Sequence, residues 1–166
     1  KMLTEKAKQV GIDIREEAKA LGIPVEDLQI WLEPYLVRSH RPNVMYHPEL
    51  IDKIIDEIKF NYGRRKNAIF LDEIAKIFKI DKKDFESKLS STEEILFSKV
   101  NSNIIYLRST VERITKMLTE KAKQVGIDIR EEAEALGIPV EDLQTWLEPY
   151  LVWSHKSNVM YHPELI

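Results

Sequence analysis

Residues 1–51 recur as residues 116–166 with 46 of 51 positions identical, the two copies lying 115 residues apart. Five pairs differ: Lys19/Glu134, Ile30/Thr145, Arg38/Trp153, Arg41/Lys156 and Pro42/Ser157. This repeat constrains the fold more than any other feature. One local structure must serve both copies, and an unrelated segment, 52–115, must fit between them. Identity extends over core-type and surface-type positions alike, which packing alone does not require; a recent duplication, natural or introduced, accounts for it. The first copy has no counterpart to residues 110–115, and the second stops within Glu164-Leu165-Ile166. The chain therefore reads as a piece of a longer array with a truncated first helix.

Within the first copy, Asp13-Ile14-Arg15-Glu16 has the form of a capping box and starts a helix whose Ile14, Ala18 and Leu21 share one face. Gly22 supplies its left-handed stop. Pro24 opens the next helix, Glu26 and Asp27 complement its positive end, and Leu28, Trp31, Leu32 and Tyr35 form the inward stripe. Leu36-Val37 and Val44-Met45-Tyr46 flank a polar loop and read as two short strands. The middle segment repeats the plan with other residues. Ile51, Ile54, Ile55, Ile58 and Tyr62 form a stripe broken by Gly63-Arg64-Arg65-Lys66-Asn67, and Ala68-Ile69-Phe70 reads as a strand. Ile74, Ala75 and Phe78 mark a second helix, Asp81 caps a third, and Ile95–Val100 with Ile104–Leu107 form a hairpin. Ser109-x-x-Glu112 is a further capping box, expected to launch the first helix of the second copy.

Helix, strand, helix, turn, helix and hairpin is the order of a winged helix. The expected fold is mainly α with small β-hairpins (α+β), and the chain resembles a tandem array of the winged-helix superfamily. Its units are 1–51, 52–109 and 110–166. Units of about 55 residues are marginal alone, so they are expected to pack on one another.

Charge decides between the functions such a fold serves. The third helix of the first copy carries Glu26, Asp27 and Glu33 with no basic residue, and the second copy repeats it as Glu141, Asp142 and Glu148. Phosphate binding depends on Lys and Arg, so these helices are poor DNA readers. Net charge is −1 over 1–51, +2 over 52–115 and −4 over 116–166. A nucleic-acid surface would fall on the middle segment, at Arg64, Arg65, Lys66, Lys82, Lys83, Lys88 and Lys99, unless Asp81, Asp84 and Glu86 simply offset the charges of its third helix. A protein surface would use Glu141, Asp142 and Glu148 or the wing tips, where Arg38 and Arg41 give way to Trp153 and Lys156. Trp153 reads either as an interface anchor or as packing against a neighbouring unit.

Catalysis is not expected. The chain has no cysteine, no Gly-rich phosphate loop and no G-x-S-x-G or H-E-x-x-H motif, and His40, His47, His155 and His162 lack the converging ligands of a metal site. No metal or other cofactor is expected. No apolar run or signal peptide suggests a membrane, and the cytoplasm is the expected compartment.

The join Asn43-Val44-Met45-Tyr46-His47-Pro48-Glu49-Leu50-Ile51, with Gly63-Arg64 and Leu71-Asp72-Glu73-Ile74-Ala75, resembles one in the winged-helix arrays of the ubiquitin-fold-modifier ligase and its partner protein. There a wing strand ending in Tyr and Pro runs into the next helix. That resemblance implies non-catalytic scaffolding; the near-identical repeat and the acidic third helix depart from its pattern. The arrays of ESCRT-II and of the selenocysteine-specific elongation factor are similar in architecture, and the latter binds RNA. The expected function is thus an interaction module for a protein partner, with DNA or RNA binding through the middle segment as the alternative. Exchange of a near-identical unit between chains is a further route to homodimers.

Overall fold

The computed structural model describes residues 2–165. Along the chain, α1 (Met2–Lys6) leads through a turn to β1 (Ile12–Asp13), which passes directly into α2 (Ile14–Leu21). Asp13 caps α2 as its sequence requires, accepting the amides of Arg15 at 2.9 Å and Glu16 at 3.2 Å, and Gly22 closes it at φ 70°. Next come α3 (Val25–Leu32), β2 (Val37–Arg38) and β3 (Val44–Tyr46). The pairing is antiparallel in the order β1-β3-β2, with Ile12 opposite Met45 and Val37 opposite Tyr46. Ala7, Ile12, Ile14, Ala18, Leu28, Leu32, Leu36 and Met45 form the core of this segment.

The middle segment continues with α4 (Glu49–Glu57), a π-helical turn at Ile58–Tyr62 and α5 (Gly63–Arg65). The break expected at Gly63 is not there. Helical structure runs through Gly63, Arg64 and Arg65 and ends at Lys66, because the wider π turn lets the chain carry on past the glycine. After β4 (Ile69–Phe70) come α6 (Leu71–Phe78) and α7 (Lys83–Ser90). Asp81 accepts the Lys83 amide at 2.9 Å where α7 begins. Then β5 (Ile95–Phe97) and β6 (Ile104–Leu107) pair antiparallel, in a sheet of order β4-β6-β5.

The second copy opens with α8 (Arg108–Ala122), then β7 (Ile127–Asp128), α9 (Ile129–Leu136), α10 (Val140–Leu147), β8 (Val152–Trp153), β9 (Val159–Tyr161) and a 3-10 turn at Pro163–Leu165. Its sheet order, β7-β9-β8, and its registers reproduce those of the first copy. The capping box expected at Ser109 is not formed. Helix α8 starts two residues earlier, straight out of β6, with no side-chain cap at Leu107, and the Arg108 amide bonds the Glu94 carbonyl at 2.7 Å. A backbone acceptor supplied by the segment leading into the adjoining hairpin has replaced the side-chain cap.

The fold is therefore α+β, with three small antiparallel sheets among helices. Its residues gather into two compact units. One comprises residues up to 61 together with 70–92, the other 62–69 together with those from 93 onward. Each unit holds one copy of the repeat, and the middle segment is shared: α4, α6 and α7 fall in the first unit, and the β5-β6 hairpin falls in the second. Among the described residues, no helix is long and apolar enough to cross a membrane.

Candidate functional site

The same hairpin turn is built three times. In each, a serine amide closes the turn against the first residue of the returning strand: Ser39 to Val44 at 2.9 Å, Ser98 to Ile104 at 3.0 Å and Ser154 to Val159 at 2.8 Å. Each serine Oγ also accepts an amide from within its turn, from Arg41, from Val100 and Asn101, and from Lys156. The serine side chain is thereby fixed, and its own hydroxyl proton is directed outward together with the amide of the following residue. Three residues into each returning strand stands a tyrosine: Tyr46, Tyr106 and Tyr161.

An aspartate fills two of these turns. In the first unit, Asp84 in the opening turn of α7 accepts the His40 amide at 2.8 Å and the Ser39 hydroxyl, and its Oδ1 lies 2.7 Å from His40 Nδ1. The Asp84 side chain is only 1% exposed. Burial, and then the Asp84 charge, push the Tyr46 hydroxyl above the usual tyrosine range. In the second unit, Asp142 in the opening turn of α10 accepts Ser98 Oγ at 2.6 Å, the Lys99 amide at 3.0 Å and the Tyr106 hydroxyl at 2.5 Å. Asp142 and Tyr106 are each 1% exposed. Burial and the bond to Asp142 hold the Tyr106 proton far more tightly than in water. Charge-assisted bonds of this kind contribute about 1.5 to 3 kcal/mol each, and a buried carboxylate is tolerated only where its oxygens are satisfied. The Trp146 ring then meets Tyr106 edge-on, with centroids 4.8 Å apart.

Among the described residues, one socket and one aspartate have no such pairing. Asp27, which matches Asp142 in the repeat, is exposed and has no hydrogen-bond or ion-pair partner among the described residues. Beside it on α3, Ile30 is 65% exposed and Trp31 59%, and Tyr35 just beyond is 62% exposed. Trp31 and Tyr35 border a groove of about 450 Å³ lined also by Met2, Leu3 and Leu21. At the third turn, the Ser154 hydroxyl, the His155 amide and the Tyr161 hydroxyl have no acceptor among the described residues.

The residues singled out from sequence are placed as follows. Asp142, expected at a protein-binding surface, is turned inward and used by the chain itself. Asp84, read as one of several acids offsetting nearby lysines, is likewise a buried acceptor. Glu141 and Glu148 stay exposed, the latter accepting Gln144 Nε2 at 3.0 Å. Arg38 pairs with Glu33 at 3.0 Å, a contact that Trp153 in the second copy does not offer Glu148, while Arg41 is exposed. Trp153 lies opposite Met160 and is 43% exposed.

The basic set is divided between the compact units. Lys82, Lys83 and Lys88 belong to the first, where Lys88 approaches Asp52 at 3.7 Å. Arg64, Arg65, Lys66 and Lys99 belong to the second, where Arg65 lies over the Tyr62 ring at 5.5 Å. Among the described residues, no cluster of three or more His, Asp or Glu could hold a metal ion. His40 faces Asp84, and His47 Nδ1 accepts the Glu49 amide at 3.1 Å.

Sequence reasoning missed Ser39, Ser98 and Tyr106 as partners of the acids. The available signal was recurrence: a serine at each hairpin turn, and an aspartate directly before the first buried apolar residue of each third helix, as in Asp27-Leu28, Asp84-Phe85 and Asp142-Leu143. No protein-family model matches the chain, and no curated protein is similar to it.

Proposed function

We propose that the chain is a non-enzymatic, tandem winged-helix interaction module that binds a protein partner through the open face of α3. The order α1-β1-α2-α3-β2-β3, with β3 central in its sheet, supports the winged-helix reading. One observation carries the choice of partner. On α10 the aspartate and tryptophan of the third helix are engaged by a hairpin, whereas on α3 the same residues stand open beside Ile30 and Tyr35. An apolar, aromatic patch with an acidic margin suits a polypeptide that offers hydroxyl and amide donors next to an aromatic ring. It repels a phosphate backbone. At α7 and α10, where a DNA reader would use the start of the third helix, a wing already occupies that position.

The second reading, nucleic-acid binding through the middle segment, draws on the consecutive exposed residues Arg64, Arg65 and Lys66. Anisotropy of labelled duplex DNA, single-stranded DNA and RNA at about 50 and 200 mM salt separates the two. The expected result is no binding at the lower salt. Tight, steeply salt-dependent binding that is lost when Arg64, Arg65 and Lys66 are changed to Glu would replace the protein-docking reading.

A further inference from the structure

Trp146, Pro149 and Tyr150 follow the clasped Asp142 by four, seven and eight residues, and with α8 they line a groove of about 500 Å³. All of its lining residues fall in the second unit. The β5-β6 hairpin docked on α10 leaves Tyr150 54% exposed. Thr119 and Thr145 spend their hydroxyls on the carbonyls of Thr115 at 2.6 Å and Glu141 at 2.9 Å, so these walls ask a ligand for few hydrogen bonds.

The middle segment shows that the fold does not need this surface. Counted from Asp84, its third helix has Lys88, Ser91 and Thr92 where the second copy has Trp146, Pro149 and Tyr150. Its own seam is bridged by charge, Lys88 on α7 reaching Asp52 on α4 at 3.7 Å. Asp52 stands six residues after Tyr46, the place that Glu112 holds after Tyr106. The second unit thus keeps the acid, gives up the base and sets an aromatic surface in its place. Glu112 is exposed and has no hydrogen bond or ion pair among the described residues, not even to Lys116 one turn along α8. The segment that follows the first copy does not cover the corresponding surface either: residues 70–92 gather with that copy in one unit, yet Tyr35, the counterpart of Tyr150, is 62% exposed.

We infer that the groove between α8 and α10 docks a basic amphipathic helix of a protein partner. Its apolar stripe lies on Trp146, Pro149 and Tyr150, and its Lys or Arg takes against Glu112 the place that Lys88 takes against Asp52. The lining of α8 from Glu112 to Thr119 extends about 10 Å, the length that an i, i+3, i+4, i+7 stripe covers. Charge agrees, since residues 116–166 carry a net −4. This goes beyond the docking reading of α3, on other residues and in the other unit.

Anisotropy of a labelled helical peptide of leucine and lysine, titrated with the whole chain, tests this against the same peptide with glutamate for lysine. The expected result is that the lysine peptide binds, more weakly as salt rises, and the glutamate peptide does not. Tyr150→Ala weakens the lysine peptide about thirtyfold, as loss of an aromatic anchor does, and Glu112→Lys weakens it about tenfold, while Trp31→Ala on α3 leaves it unchanged. Tyr150 and Glu112 are exposed, and unchanged circular dichroism and melting confirm that the variants fold. Failure of the lysine peptide to bind overturns the inference, and so does binding that either Tyr150→Ala or Glu112→Lys leaves unchanged. Loss on Trp31→Ala alone assigns the peptide to α3, which spares that reading and overturns this one.

Discussion

Helices α3 and α10 share seven of eight residues, yet one buries its aspartate and shields its tryptophan while the other exposes both. The difference lies in what packs against them among the described residues. The β5-β6 hairpin comes before α10 in the chain and supplies hydroxyl, amide and phenol to Asp142; no such hairpin among the described residues serves α3. A third helix of this kind therefore has two states set by its neighbour. An acidic opening turn that looks like a surface feature in sequence is a docking group whenever a hairpin of the right kind is present.

The largest expected effect separates the two aspartates. Asp142→Ala leaves the buried Tyr106 hydroxyl and the part-buried Ser98 hydroxyl and Lys99 amide without their acceptor and should destabilise its unit by about 3 kcal/mol, whereas Asp27→Ala should change stability by less than about 0.5 kcal/mol in dilute protein. Urea denaturation followed by circular dichroism gives both values, and equal effects would erase the contrast between the helices.

A smaller contrast lies at Gly11 and Gly126, identical in sequence and different in surroundings. A Cβ at Gly11 would fall 2.5 Å from the Lys79 carbonyl oxygen, and the Gly11 amide bonds the Phe78 carbonyl at 2.7 Å. A Cβ at Gly126 meets only the Val159 side chain within 3 Å, at 2.9 Å. Gly11→Ala should cost about 2 kcal/mol and Gly126→Ala about 1 kcal/mol, measured as shifts in the urea midpoint.

The smallest effect is a pH dependence. Because its folded-state pKa is raised, Tyr106 keeps its proton where the unfolded chain, with an ordinary pKa of about 10, releases it. Its contribution is complete below that pH and is lost as pH rises above it. Melting temperatures between about pH 9 and 11 should fall less steeply for Tyr106→Phe than for the wild type, by about 1 kcal/mol at the alkaline end. Tyr46 retains part of the slope, so the variant should flatten it without abolishing it.

Helix faces, the Asp13 cap, the Gly22 stop and the hairpins were legible because each depends on residues a few positions apart. The two-residue strands β1 and β7 were less so, since Ile12–Asp13 is too short for alternation to show and exists only by pairing with β3. The clasps were not legible. Ser39 and Asp84 are 45 residues apart and Ser98 and Asp142 are 44 apart, and no periodicity links such pairs. The acids were therefore read as surface charge, although their recurrence before Leu28, Phe85 and Leu143 was present in the sequence. Capping failed as a guide at Ser109 for a related reason, because the segment leading into the adjoining hairpin supplies a backbone acceptor in place of the side-chain cap.

The most direct test of the clasp is a double-mutant cycle between Ser98→Ala and Asp142→Ala, with unfolding free energies measured in dilute protein. The expected coupling is about 1 to 2 kcal/mol, and the corresponding cycle between Ser154→Ala and Asp27→Ala under the same conditions should give none. Additive effects at Ser98 and Asp142 would contradict a hairpin that holds the third helix by its aspartate.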